Sequence, residues 1–118
     1  MHDSKKLIIG VCLWILLHFM VWWSTNLQFV KDYWRENAIY VALVLAIPIT
    51  LAGFFATRFT YEGLGNTLWG ARFIAFGTSY LIFPVLTWLV LKESMFTTKT
   101  LLCILLSFLI ITIQVFWK

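Results

Sequence analysis

The sequence predicts an all-α integral membrane protein, a bundle of four transmembrane helices. Three observations lead to this prediction: the composition, the long apolar runs and the positions of the aromatic residues. Of the 118 residues, 62% are hydrophobic and only 12% are charged, with a mean hydropathy of +0.91. A soluble domain is usually about half apolar and roughly a quarter charged. A chain this short has too small an interior to hide so much apolar surface from water. We therefore expect the lipid bilayer to surround it.

Four apolar runs are long enough to cross the hydrocarbon core, which takes roughly 17–25 helical residues. They cover residues 7–23, 38–57, 68–91 and 101–117. Inside lipid every backbone N–H and C=O must be satisfied within the segment, so continuous runs of this length are helices. The length of the chain leaves room for one domain, and we predict a single transmembrane domain over residues 1–118.

Aromatic residues, 19% of the chain, mark many of the run ends, where indole and phenol rings suit the headgroup zone. They are Trp22, Trp23, Tyr33, Trp34, Tyr40, Trp69, Trp88 and Trp117. The first run ends in two of these tryptophans and not in the small residues of a signal-peptide cleavage site. We therefore interpret it as a retained first span.

The connections between the runs are short, so we expect sequential helices to be antiparallel neighbours. Residues 24–37 predict an interfacial turn or short helix, and residues 58–66 predict a tight turn around Gly63 and Gly65. In the third connection, 92–99, Thr97 and Thr98 are candidate N-caps for the last helix.

Lysine and arginine are nearly balanced across the membrane, so the positive-inside rule has little to act on. Four spans place five cations on the side of the termini and four on the other: Lys5, Lys6, Arg58, Arg72 and Lys118 against Lys31, Arg35, Lys92 and Lys99. Dual topology and a single topology both stay open. We favour a single topology in a cell (inner) membrane with both termini cytoplasmic.

Several function classes are disfavoured by what the sequence lacks. No Asp or Glu lies within any run, which argues against a carboxylate-based proton or cation pump. No P-loop, GxSxG, HExxH or CxxC motif is present, so we expect no enzyme activity, no catalytic residues, no cofactor and no metal. The cations are scattered rather than clustered, so we expect no nucleic-acid partner.

Two ionisable residues inside the runs are candidate functional groups. Arg72 lies about 6 Å into the third run by helical rise. It is placed to bind an anionic group, to pair with Glu62, or to extend to the headgroups. His18 shares one helix face with Trp14 and Trp22 at spacings of four and eight. This stripe is placed to line a substrate path or to carry a proton near neutral pH. The alternative is that His18 is neutral and bonded to a neighbouring hydroxyl or carbonyl.

Small residues recur every four positions in the third run, at Ala71, Ala75 and Ser79. Such spacing lets helix backbones approach closely, and it predicts helix packing. Ala42 and Ala46, followed by Ala52 and Ala56, give the second run a similar face. The hydroxyls of Thr78 and Ser79 are also candidates to line a path.

The third and fourth runs carry a family resemblance. The stretch that carries it is NTLWGARFIAFGTSYLIFPVLTWLVLKESMFTTKTLLCILLSFLIITIQVFW. It resembles the closing helix pair of the drug/metabolite transporter superfamily, with Lys92-Glu93 as the short loop between the two helices. A small four-helix branch of uncharacterised function opens its third helix with a TLAQLK-like stretch. Here TLWGAR, residues 67–72, stands in that place, and VWW closes the first run.

The size and four spans also resemble the small multidrug resistance family, which works as an antiparallel dimer. That family has a membrane-embedded Glu in its first helix, and the first run here has no acid. The resemblance implies a homo-oligomeric carrier, and the absence of acids within the runs together with Arg72 predicts that its substrate is a neutral or anionic small molecule. Its site is expected between the first three runs, lined by Trp14, His18, Trp69 and Arg72.

Two other functions stay open. A structural or accessory subunit of a larger membrane complex would suit the scarcity of polar groups and the nearly all-apolar last run. A pore-forming, holin-like protein is the third possibility.

Overall fold

The computed structural model describes residues 3–117, and within that range it is all-helical, with no strand. Four of its helices are long and apolar enough to cross a membrane. This confirms the predicted fold class, an all-α bundle of four transmembrane helices in a multi-pass integral membrane protein. The elements are α1 (Ser4–Asn26), a 3-10 helix (Leu27–Phe29), α2 (Asp32–Glu36), α3 (Ala38–Gly63), α4 (Leu68–Leu91) and α5 (Thr98–Phe116).

Helix α1 is longer than its apolar run because polar side chains satisfy the backbone at both ends. Asp3 is the N-cap, and its carboxylate accepts hydrogen bonds from the amides of Lys5 and Lys6 at 3.2 and 3.3 Å. At the other end Asn26 donates from its side chain to the carbonyl of Trp22 at 3.1 Å. The helix therefore includes residues that hydropathy alone assigns to the connections.

Helix α3 is also longer than its apolar run, because it continues six residues beyond position 57 and ends at Gly63. The tight turn predicted over 58–66 is confined to the residues between α3 and α4. Gly65 and Asn66 have positive φ there, 75° and 65°. Glycine and asparagine are the residues that adopt this left-handed conformation most readily. The chain therefore reverses in one short turn.

The other two connections follow their predictions. Residues 24–37 contain the 3-10 helix and the one-turn helix α2, as expected of an interfacial segment. Thr97 is the N-cap of α5, and its hydroxyl oxygen accepts from the amide of Thr100 at 3.2 Å. Lys92 ends α4 in the left-handed region with φ of 60°.

The four long helices lie in the order α3, α1, α4, α5, because α1 packs against both α3 and α4 while α5 packs against α4. The protein is flat, with extents of 49 × 36 × 18 Å. The expectation that sequential helices are neighbours is therefore only partly right. Helices α3 and α4 are held together by their short turn, yet α1 makes the more extensive contacts with each.

Two glycines set the close approach of α1 and α3. A Cβ on Gly10 would lie 2.6 Å from Thr60 Cγ2 and 2.8 Å from the Thr60 amide nitrogen. A Cβ on Gly63 would lie 2.6 Å from the Leu7 nitrogen. At both glycines the backbones of α1 and α3 are in contact, so a larger residue at either position fits only if a helix moves.

Helix α3 faces α1 through Ala52, Ala56 and Thr60, which are all buried. Ala42 and Ala46, predicted as packing residues, are exposed instead. The half-buried face at that end of α3 runs through Val41 and Leu45. Ala42 and Ala46 each follow one residue later, rotated by about 100° on a helix of 3.6 residues per turn. Within one chain they are not packing residues; between chains their role stays a prediction.

Candidate functional site

A cavity of about 350 Å³ lies between α1, α3 and α4. Pockets that hold small molecules typically start at roughly this size. It is lined by Trp14, Thr57, Leu68, Trp69, Ala71, Arg72 and Ala75. Three predicted path residues, Trp14, Trp69 and Arg72, are thus brought to one cavity from helices α1 and α4.

The cavity lies at the end of the bundle where α4 begins. Leu68 is the first residue of α4, Arg72 lies about 6 Å further along the axis, and Ala75 lies roughly one turn deeper. Leu68 and Trp69 at its rim are 63% and 71% exposed. The lining therefore runs from the exposed start of α4 toward the middle of that helix.

Arg72 does not pair with Glu62, contrary to one of its three sequence interpretations. Glu62 lies 3.3 Å from the ammonium group of Lys6. The pairing follows from the packing of α1 on α3, which also brings the amide of Asp3 to 2.9 Å from the carbonyl of Gly63. Among residues 3–117, Arg72 has no carboxylate within ion-pair distance, so its guanidinium is exposed beside the cavity without a protein counter-charge.

The aromatic stripe of α1 forms hydrogen bonds to two other helices. Trp14 Nε1 donates to Thr60 Oγ1 of α3 at 3.3 Å. Trp22 Nε1 donates to Thr87 Oγ1 of α4 at 3.0 Å, and both of these side chains are buried. In lipid such bonds between helices stabilise a particular pairing. The stripe therefore joins α1 to both of its neighbours.

His18 lies between these two tryptophans on the stripe. Its Nε2 is 2.8 Å from the carbonyl oxygen of Ala75, and because a carbonyl only accepts, Nε2 carries the proton. The imidazole also stacks on Trp14, with ring centroids 5.8 Å apart. The contact agrees with the interpretation in which His18 is bonded to a neighbouring carbonyl. His18 is not among the cavity-lining residues, but it binds Ala75, which is.

Thr78 and Ser79 do not line the cavity. The hydroxyl of Thr78 is 2.8 Å from the carbonyl of Ile74, and that of Ser79 is 2.6 Å from the carbonyl of Phe76. Both are the back-bonds that hydroxyl side chains commonly make within a helix. Their donors are therefore used inside α4.

The small residues of α4 have a double role. Ala71 and Ala75 are buried, as the packing prediction requires, and they also form part of the cavity wall. Sequence reasoning missed Thr57, which contributes a wall hydroxyl, and Thr60, which anchors Trp14. Thr60 fell in the predicted turn 58–66, so only the true length of α3 placed it on a helix face.

The arrangement can bind a ligand by one positive charge, one hydroxyl and a large apolar surface. Within residues 3–117 no three His, Cys, Asp or Glu side chains come together as a group able to hold a metal ion. Binding therefore rests on Arg72, Thr57 and the aromatic and aliphatic lining.

No family model matches this chain, and no curated protein or solved structure does. The resemblance to the drug/metabolite transporter superfamily stays a prediction that rests on the residues quoted above.

Proposed function

We propose that this protein is a carrier of the drug/metabolite transporter type that moves a neutral or anionic small molecule. The cavity between α1, α3 and α4 is the observation that supports the proposal most directly. It contains Trp14, Trp69 and Arg72, three of the residues that the sequence predicts to line a substrate path. Its volume of about 350 Å³ is sufficient for a small organic molecule.

The charge around the cavity supports the choice of substrate. Arg72 is the charged residue in the lining, and no acid lies there. A cation would have to enter next to a guanidinium without a protein counter-charge, and like charges repel. Neutral and anionic molecules do not meet that penalty.

The flat shape supports a homo-oligomer. With four helices arranged as an open layer 18 Å thick in its smallest extent, one chain does not surround a path across the membrane. A second copy facing the cavity would supply the missing wall. We place both ends of the chain on the cytoplasmic side of a cell (inner) membrane, the side with five of the nine Lys and Arg residues.

Uptake into liposomes tests the carrier. We expect saturable uptake of at least one member of a panel of small neutral and anionic solutes, reduced about tenfold by Arg72→Ala if the solute is an anion. Arg58→Ala is the matched control. Arg58 lies on α3 near the same end of the bundle, with its guanidinium 4.7 Å from the centre of the Phe54 ring and outside the cavity lining. Uptake that rises linearly with solute concentration contradicts a carrier.

A second candidate function is an accessory subunit of a larger membrane complex. In support, only 6% of the apolar windows of α3 and of α5 is buried inside the chain, which leaves two outer helices open to partners. The native mass of the detergent-extracted particle separates the two proposals. A particle containing this chain at 1:1 with larger foreign subunits supports the accessory role, and a particle containing only copies of this chain supports the carrier.

A further inference from the structure

We infer that the ligand of the cavity is an acidic amphiphile, a molecule with one carboxylate or phosphate group on an apolar body. The acid would bind Arg72, and the apolar body would lie against Trp14 and the small residues of α4. This inference rests on the proposed function, because it names the substrate class of the same site.

Apart from Thr57 and Arg72, the residues that line the cavity present apolar surface, and the polar atoms of Trp14 and Ala75 are already engaged. The indole N–H of Trp14 donates to Thr60, and the hydroxyl of Thr60 in turn donates to the carbonyl of Ala56 at 2.7 Å. The carbonyl of Ala75 accepts from His18. A ligand therefore meets the apolar surface of the Trp14 ring and of Ala75, and a polar body would lose its hydration without gaining partners there.

Arg72 has the opposite property, since it offers donors that no acid in the described chain engages. A guanidinium presents a planar fork of N–H groups that fits a carboxylate or phosphate with two parallel bonds. The carboxylate of Glu62 pairs with Lys6 instead. The acid that complements Arg72 therefore has to come from the ligand.

The depth of these groups matches the shape of an amphiphile in a bilayer. Arg72 lies about one helical turn from the start of α4, at headgroup level, whereas Ala75 lies roughly one turn deeper. An amphiphile in a bilayer has the same order along the membrane normal, with its polar head where Arg72 lies and its apolar body where Ala75 lies. The ring of Trp69, 71% exposed at the rim, adds apolar surface where such a molecule would enter.

Two sources supply this chemistry: an anionic phospholipid of the bilayer itself and a water-borne aromatic acid. Both present one acidic group on an apolar body, so the structure assigns the class that they share. The experiment separates the two sources.

The test uses dansyl-undecanoate as the probe and the purified full chain in phosphatidylcholine nanodiscs. Energy transfer from the tryptophans to the dansyl group reports binding, because Trp14 and Trp69 line the cavity. We expect saturable binding that Arg72→Ala weakens roughly 10- to 100-fold, the loss of a charge-assisted pair. Arg58→Ala, the surface control, should change affinity less than about twofold, since an exposed charge outside the cavity lining is largely screened.

The methyl ester of the probe tests the same point without a mutation. It has the same apolar body but no charge, so we expect it to bind the unmodified protein as weakly as the acid binds Arg72→Ala. Equal affinity of ester and acid for the unmodified protein overturns the inference. So do equal losses in Arg72→Ala and Arg58→Ala, which would indicate a general surface charge effect.

Competition identifies the source. Displacement of the probe by phosphatidylglycerol included in the nanodisc indicates a bilayer lipid, and displacement by 2-naphthoate indicates a water-borne acid; either result supports the inference. The results that would contradict the inference differ from those that would contradict the proposed carrier function. Acid binding without saturable uptake contradicts the carrier alone, and saturable uptake of a neutral solute without acid binding contradicts the inference alone.

Discussion

The contact between α1 and α3 and the contact between α4 and α5 are built differently. The first has backbone crossings at Gly10 and Gly63, an indole-to-hydroxyl bond from Trp14 to Thr60, and an ion pair. In the second, a Cβ on Gly77 would meet only the side chain of Ile111. No side-chain hydrogen bond joins α5 to another helix among the described residues, and Ser107, its buried residue, donates to Cys103 of its own helix at 2.9 Å.

The difference shows which contacts specify the arrangement of helices in lipid. Lipid tails are as apolar as leucine, so apolar surface alone gives helices little reason to associate. Close backbone packing and hydrogen bonds between helices remain as the specific forces. We therefore expect α1, α3 and α4 to form the stable part of the protein and α5 to be held more weakly.

Matched glycine substitutions should give the largest difference between the two contacts. Gly10→Ala places a methyl group against the backbone of Thr60 and Phe59, so we expect a loss of about 1–3 kcal/mol in the free energy of unfolding. Gly77→Ala meets Cγ1 and Cδ1 of the Ile111 side chain, so Ile111 has to change its χ1 rotamer but no backbone has to move. The gain of about 1 kcal/mol when alanine replaces glycine in a helix applies to both variants, so we expect the net loss for Gly77→Ala to be below about 1 kcal/mol and smaller than that for Gly10→Ala.

Reversible unfolding in mixed micelles of dodecyl sulfate measures both values. The double variant Gly77→Ala with Ile111→Ala removes both atoms in conflict, Cγ1 and Cδ1, and is the control, compared with Ile111→Ala alone. Losses of equal size in Gly10→Ala and Gly77→Ala would contradict the contrast between the two contacts.

Hydroxyl deletions should give the next largest difference. Thr60→Val keeps the shape of the side chain but removes the acceptor for Trp14, so we expect a loss of about 0.6 kcal/mol and at most about 1.7, the average and the maximum for side-chain bonds between membrane helices. Ser107→Ala removes a bond internal to α5, so we expect a change below about 0.5 kcal/mol. A double-mutant cycle of Thr60→Val with Trp14→Phe isolates the bond. Additive losses in that cycle would show that the two side chains are not coupled.

The ion pair should give the smallest effect. The side chains of Lys6 and Glu62 are 44% and 39% exposed, and such pairs contribute about 0–1 kcal/mol. We expect Lys6→Met to lower the free energy of unfolding within that range, with the difference shrinking as salt is added. Lys5→Met, at the neighbouring exposed lysine, is the control and should have no comparable effect. A salt-independent loss above that range would indicate a structural role for Lys6 beyond the pair.

Part of the candidate site could be predicted because it follows from helix periodicity. Trp14, His18 and Trp22 share a face by spacing alone, and all three form contacts to other helices in the structure. Arg72 stood out as a charge inside an apolar run, and it lines the cavity together with Trp69. Thr60 could not be placed, because its polar neighbourhood indicated a turn while the helix continued through it.

Two outcomes at the predicted residues depend on the tertiary structure. Glu62 pairs with Lys6 and not with Arg72, since α1 crosses α3 at that end. Ala42 and Ala46 are exposed because the contact with α1 follows a face about one residue away. Neither the crossing nor the rotation of α3 about its axis is encoded in the spacing of one run.

The sequence by itself determined four membrane helices, because in lipid each helix must satisfy its own backbone hydrogen bonds and an apolar run of sufficient length specifies that locally. The tertiary structure alone decided which helices touch and where the cavity lies. The bonds that set this arrangement join residues 46, 57 and 65 positions apart in the chain. Such pairings depend on how small residues and side-chain donors fit between separate helices, and no single run contains that information.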